Sequence, residues 1–270
     1  MISIGIPTYN RAPYLEGCLW SIGEQSWLKS SLTSLDWGNI EILISDDCSS
    51  DGTENLVKRI IGDSDLNIKY YRRPKNLGDI ANFLFLAEQA TGDYFMWLGD
   101  DDRLHPEFLD KLHYCIRPTN QHNIENRLFP DFAFSDIVVL DKNNLEYRKP
   151  QSFQHFTEDC PGNYRSRMNW SCSAVMIQSL WRKPFLDNLI AKGCFPNCWG
   201  YDIVLVYAAL LSGTYAHVPE KLYYKANLRT VATPELIEHY RQVDSGEITA
   251  PFEAPQEFWD AIKHVEEVCR

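Results

Sequence analysis

The chain lacks an excess of positive charge. Its 26 Lys and Arg stand against 37 Asp and Glu, a formal charge of −11 over 270 residues. Broad nucleic-acid binding needs a basic footprint, so nucleic acid is not an expected partner. A long apolar run is also missing. The longest, "IVLVYAALL" from Ile203 to Leu211, is far short of the roughly 20 residues a membrane-spanning helix requires. The opening "MISIGIPTYN" enters a strand pattern at once, without the basic region and apolar stretch of a targeting segment. A cytoplasmic protein is expected, with peripheral contact at the inner face of a membrane left open. No internal repeat or low-complexity linker breaks the chain. The 8 cysteines are scattered, which suits reduced thiols better than a disulfide framework. Cys194 and Cys198 have no second pair at ligand spacing, so packing thiols are favoured there over a zinc site.

What is present is a globular chain, 44 % apolar, long enough for a sizeable core. The first 140 residues alternate. "ISIGI" (2–6), "IEILIS" (40–45), "NIKYYR" (67–72) and "DYFMWL" (93–98) read as buried strands. Residues 12–27, 51–62 and 79–91 carry apolar residues at helical spacing, and Pro106 stands near the start of a further helix. Successive β-α units predict an α/β fold, a Rossmann-like, mainly parallel sheet with helices on both faces. After residue 130 the rhythm changes. Residues 131–141 and "WSCSAVMI" (170–177) read as strands, 202–211 as a helix, "TYAHVP" and "KLYYKA" as two short strands. An amphipathic helix follows Pro255 and forms a C-terminal extension.

In such sheets ligands bind beyond the carboxyl ends of the strands. Three polar clusters fall at these ends: "PTYNR", "SDDCSSDGT" and "GDDD". Their convergence on one rim is what turns a charge run into a candidate site. The triplet Asp100, Asp101 and Asp102 poses an energetic problem, because two unit charges about 6 Å apart repel by roughly 3 kcal/mol at an effective dielectric near 20. Either the side chains diverge into water, or a hard divalent cation needs their oxygens.

In order and spacing, four stretches resemble family 2 glycosyltransferases of the GT-A fold: "IGIPTYNRAPYLEGCLWSI", "EILISDDCSSDGT", "NLGDIANFLFLAEQATGDYFMWLGDDD" and "WGYDIVLVYAALLSG". The resemblance covers about residues 1–225. It implies inverting transfer of a sugar from a nucleotide-diphosphate sugar to a hydroxyl of a glycan or lipid-linked glycan, in surface polysaccharide synthesis, with Mg²⁺ or Mn²⁺ on the diphosphate. Residues 1–130 would bind the nucleotide-sugar, 131–230 would supply the acceptor side and the base, and 231–270 would form a helical tail.

Residue by residue, the resemblance implies that Pro7, Thr8, Tyr9 and Arg11 hold the nucleotide base and phosphates, and that Asp47 accepts hydrogen bonds from the base. Asp46 would support the loop, with Ser49, Ser50 and Asp51 capping the next helix. Asn76 and Asn82 would reach the nucleotide or sugar, with turn formation the alternative for Asn76. Asp101 would meet the metal and Asp100 the ribose or the metal; the family's Asp-x-Asp is present only as Asp100-Asp101-Asp102. Asp202 would be the general base, with helix capping as its bland alternative. Trp170 and Trp199 are either a sugar platform or core aromatics. Arg229 and Lys225 are either a lid over the diphosphate or a solvated loop. His217 reads as a strand residue. The rival readings are a nucleotidyltransferase-like enzyme, which would need a Gly-rich basic first loop, and a non-catalytic nucleotide-sugar-binding module, which would not need the triplet or Asp202.

Overall fold

Strands β1 (Ile2–Thr8) and β2 (Ile40–Asp46) are buried on both faces, with Ile2, Ile4, Ile6, Ile42, Leu43 and Ile44 all in the core. Double-sided burial is what a parallel sheet between helical layers demands. In the computed structural model, which describes residues 1–26, 40–117, 129–148, 174–228, 233–244 and 254–269, the two strands pair in parallel from Ile2 opposite Ile40 to Thr8 opposite Asp46. Both therefore leave the sheet at the same rim. β3 (Ile68–Arg72) and β4 (Tyr94–Trp97) extend the parallel ladder on either side. The crossovers are α1 (Ala12–Gly23), with Pro13 in its first turn, α2 (Thr53–Asp63) and α3 (Asp79–Gln89).

The second half adds β5 (Arg103–Leu104), α4 (Phe108–Ile116), β6 (Phe132–Asp141), β7 (Glu146–Arg148), a 3₁₀ turn (Ala174–Gln178), β8 (Leu180–Arg182), α5 (Lys183–Ala191), α6 (Tyr201–Ser212) and β9 (Tyr215–Asn227). α7 (Pro234–Asp244) and α8 (Gln256–Val268) follow. The strand order is β3-β2-β1-β4-β8-β6-β9-β5, with β7 on β6. The long ladders are parallel, β6 on β9 included, and the antiparallel joins are short. One apolar core runs from Ile2 to Cys269 and takes in Phe258, Ile262 and Val265 of the terminal helix.

Two sequence readings need correction. The apolar run expected as a strand over 170–177 is a 3₁₀ turn over Ala174–Gln178; residues 170–173 lie outside the described residues. There Ser179 donates from its N–H and hydroxyl to Met176 O, and Trp181 Nε1 donates to Ile177 O at 3.0 Å. A short apolar run does not by itself distinguish a strand from a buried helical turn. The two short strands expected around 215–226 are one strand, β9. Its pairing with β6 jumps from Val218 opposite Ser135 to Lys221 opposite Asp136, which leaves Pro219 and Glu220 bulged out. Proline has no N–H to give the ladder, so a bulge is where a strand tolerates it. The described cysteines are free thiols, and Cys194 Sγ lies 3.6 Å from Cys269 Sγ in the core.

At the sheet end opposite that rim, Glu41 is buried and ties three strands together. It accepts hydrogen bonds from Ser3 Oγ, Thr91 N–H (2.7 Å), Thr91 Oγ1 (2.9 Å) and Lys69 Nζ (2.8 Å). Burial alone would push its carboxyl up. The bonds from Lys69, Ser3 and Thr91 outweigh it and hold the group at about 2, below its ordinary 4.5. A depressed folded-state value is a stability contribution that is full above about pH 4.5 and fades as pH falls toward 2. Glu41→Gln is therefore expected to lose about 3 kcal/mol at pH 7. Urea titrations at several pH values should show the gap from wild type narrowing below pH 4.5; a gap independent of pH would remove the ionised carboxylate from the account.

Candidate active site

The loops after β1 and β2 are stapled together. Asn10 takes a positive φ of 54° and Cys48 one of 67°. In that geometry Asn10 N–H donates to Ser49 Oγ at 2.8 Å, and Ser50 N–H donates to Asn10 Oδ1 at 2.8 Å. Asp51 accepts from Ala12 N–H (3.1 Å) on one side and Thr53 N–H (2.9 Å) on the other. So Asp51 serves the start of α2, whereas Ser49 and Ser50 bind the neighbouring loop. Asp46 is wholly buried beneath, accepting from Ser49 N–H at 2.7 Å and Tyr70 OH at 2.5 Å.

On this base the first loop presents half-buried Pro7, buried Thr8, exposed Tyr9 and half-buried Arg11. Asp47 is only 3 % exposed and accepts from the N–H groups of Leu77 (2.9 Å) and Gly78 (2.8 Å). It thereby hangs the loop before α3 on the end of β2. Asn76 completes that turn, its Oδ1 accepting Gly78 N–H at 3.1 Å. Asn82 lies behind the cleft, in the core. Its Nδ2 donates to Ser45 O at 2.8 Å, and Ser45 Oγ donates back to its Oδ1.

The acidic triplet divides in two. Asp102 accepts from Tyr223 OH (2.6 Å) and Ala226 N–H (2.8 Å), both on β9, and is 2 % exposed. Gly99 leaves room for it; a Cβ there would come within 2.6 Å of Asp102 Oδ2. Asp100 and Asp101 have no such commitment. Burial pushes Asp100 up to about 7, helped by Asp101 and Asp102 and resisted by Thr8 and Arg11. Burial also raises Asp101, Asp102 adds to it, and Arg11 and Lys225 oppose. Arg11 Nη1 lies 3.6 Å from Asp101 Oδ2. The buried Thr8 Oγ1 beside Asp100 makes no well-formed hydrogen bond.

Asp202 occupies the first turn of α6 and accepts Ile203 N–H at 2.9 Å. Burial raises its carboxyl, Ile203 N–H and Lys225 pull it down, and Asp79 pushes it up. Lys225 thus bears on both Asp101 and Asp202. Gly200, with φ +77°, starts the helix, and Phe258 of α8 lies where its Cβ would be, at 2.9 Å. Trp199 is exposed and meets Phe258 edge-on, with centroids 5.9 Å apart. Trp170 and Arg229 lie outside the described residues. His217 stands on β9, 2.8 Å from Asp136 Oδ1.

Two features escaped the sequence reading: the use of Asp102 as a tie to β9, and the placement of Asp79, the residue after "NLG", near Asp202. Among the described residues no three of His, Cys, Asp and Glu already enclose a metal-sized space. The donor set nevertheless fits a hard cation, because Asp100 and Asp101 are adjacent carboxylates, the second raising the first, and the Thr8 hydroxyl lies beside Asp100.

Residues 3–120 match the model of Glycosyl transferase family 2. Abequosyltransferase RfbV of Salmonella typhimurium is 42 % identical over 109 residues, 40 % of this chain and 30 % of that protein. The GalNAc(5)-diNAcBac-PP-undecaprenol β-1,3-glucosyltransferase of Campylobacter jejuni is 36 % identical over 104 residues, 38 % of this chain and 30 % of that one. The matched stretches thus span less than two thirds of these relatives' own length. The crystal structure of S. aureus TarS 1–349 in complex with UDP covers 98 % of this chain with a TM-score of 0.61 at 20 % identity, and 70 % of its own length is covered. The fold is accordingly of the GT-A type. Over residues 3–120 the chain is similar to glycosyltransferase family 2, in agreement with its motifs and strand-end carboxylates.

Proposed function

We propose that the protein transfers a sugar, with inversion, from a nucleotide-diphosphate sugar to a hydroxyl of a glycan or lipid-linked glycan in surface polysaccharide synthesis. One observation carries this reading: Asp101 and Asp202, from distant parts of the chain, are both near enough to Lys225 to be drawn down by its charge. Relatives that act as an abequosyltransferase and on a lipid-linked glycan support the substrate class. Residues 1–130 would hold the donor, 131–230 the acceptor side, and 231–270 the supporting tail. No helix among the described residues is long and apolar enough to cross a membrane. Work at the cytoplasmic face, through peripheral contact, is part of the same proposal.

The chemistry follows from the side chains. The loop of Pro7, Thr8, Tyr9 and Arg11 offers an aromatic face and a cation to the nucleotide, with Asp47 and Asn76 shaping its far wall. Asp202 takes the proton of the acceptor hydroxyl as that oxygen attacks the anomeric carbon from the face opposite the leaving group. Its raised carboxyl makes it a stronger base than a solvated Asp, and Ile203 N–H fixes its orientation. Arg11 and Lys225 bring positive charge to an acidic cleft that has to accept a diphosphate. Asp100 and Asp101 would hold Mg²⁺ or Mn²⁺, which when bound neutralises charge on the departing nucleoside diphosphate.

Thermal shift with a panel of nucleotide-sugars, with and without Mn²⁺, tests the donor and the ion together. At least one donor should stabilise wild type only in the presence of metal. Asp202→Asn should keep that shift and lose transfer by roughly 10²- to 10⁴-fold; turnover equal to wild type would take Asp202 out of the mechanism. Asp101→Ala should abolish the metal-dependent part of the shift, and a shift that survives intact would move the ion elsewhere. Tyr223→Phe, which strips a hydrogen bond from buried Asp102, should lower stability by about 1.5–3 kcal/mol while leaving the metal response in place. Loss of the metal response with no loss of stability would make Asp102 a ligand instead of a tie.

A further inference from the structure

Asp79 has no part in the reading above, yet the fold brings it to Tyr201, the residue before Asp202. It opens α3 immediately after Leu77 and Gly78, the two residues whose N–H groups Asp47 holds. Its position is therefore set by the same clamp that shapes the nucleotide loop. The residue is exposed. Oδ1 accepts the N–H of Ile80 at 2.9 Å, and Oδ2 faces Tyr201 OH at 3.4 Å, longer than a good O–H···O bond. An ionised carboxylate has about four acceptor positions. Asp79 thus retains acceptor capacity toward solvent.

Tyr201 faces this carboxylate from the position next to Asp202. Its ring is held between Phe83 of α3, at 5.8 Å, and Phe195, at 5.0 Å. Its hydroxyl is pushed well above the ordinary range by burial, with Asp79 and Asp202 adding to the effect, so it stays a donor. An acid near Asp202 adds repulsion there. A surface acid without a tether could turn into water and relieve it; Asp79 is tethered at the helix start and faced by a phenol.

Resting on the proposed donor reading, the nucleotide lies on the Asp47 side and the acceptor hydroxyl at Asp202. The part of a nucleotide-sugar that spans the interval between them is the sugar ring, whose hydroxyls are hydrogen-bond donors. We propose that Asp79 is a specificity-determining residue that accepts a hydrogen bond from a hydroxyl of the transferred sugar, with Tyr201 as the positioning residue that holds its carboxylate. The donor class this selects is a nucleotide-diphosphate sugar with a free, unsubstituted hydroxyl at the ring position facing the start of α3. A sugar deoxygenated or acylated there offers Asp79 no donor.

Calorimetric titration in Mn²⁺ separates sugar from nucleotide. The probes are UDP-N-acetylglucosamine, UDP-glucose and GDP-mannose, with UDP and GDP as their sugar-free counterparts. Against the sugar nucleotide that wild type binds best, Asp79→Ala should lose roughly tenfold to a hundredfold in affinity, while the matching nucleoside diphosphate stays within about twofold. Tyr201→Phe should show a smaller loss with the same selectivity. Equal weakening of both ligands would reduce Asp79 to a support for α3 and overturn the proposal. So would unchanged affinity for both, or a change confined to the acceptor KM. A wild-type protein that binds neither these nor the cytidine- and thymidine-diphosphate sugars of the wider panel would instead sink the donor reading itself. That result is distinct from a variant that binds the sugar nucleotide as well as wild type does.

Discussion

The join between the turn after β4 and β9 depends on where Asp102 puts its two oxygens. The residue leaves the turn after β4 and receives Tyr223 OH and Ala226 N–H, both from β9. A buried anion with good donors is a strong local tie, and an unpaired one would be costly. Through that tie the last strand is fastened to the end of the parallel ladder. β5 continues the join, with Leu104 opposite Tyr223 and Arg103 opposite Tyr224. Lys225 is therefore delivered to the acidic corner by strand geometry. Of three adjacent carboxylates, one has become framework.

The remaining balance is electrostatic. Arg11 bears on Asp100 and Asp101, Lys225 on Asp101 and Asp202, and Asp79 adds repulsion at Asp202. Two carboxylates at about 4 Å repel by roughly 4 kcal/mol at an effective dielectric of 20, so the arrangement is only partly neutralised by its own cations. A protein of net charge −11 offers no general attraction to a diphosphate. Local Arg and Lys, and a dication between carboxylates and phosphates, would supply what the overall charge does not.

The parallel half was legible because its signals are local and redundant. "ISIGI" and "IEILIS" are apolar on both faces, and the polar clusters that follow them could be assigned to one rim from the β-α alternation alone. The later part was harder. "WSCSAVMI" carries no periodicity that separates strand from helical turn, and Pro219 looked like a break between strands when it marks a bulge within one. Candidate residues could be singled out only where a residue type restricts its chemistry. Asp202 at a helix start and the triplet after β4 stood out. The internal commitments of Asn82 to Ser45 and of Asp102 to Tyr223 did not, since they join segments far apart in sequence. Asp79 escaped because "NLGD" reads equally well as a turn followed by a helix start.

The packing of Phe258 against Gly200 couples the far end of the described chain to the first turn of α6. That turn carries Asp202 one residue after the helix begins. A ring on α8 therefore acts as a backstop for a carboxylate that it never touches through a hydrogen bond. The terminal helix is not an interchangeable appendage. Its aromatic register must match a glycine in left-handed conformation, and grafting another tail onto this sheet would demand both halves of that fit at once.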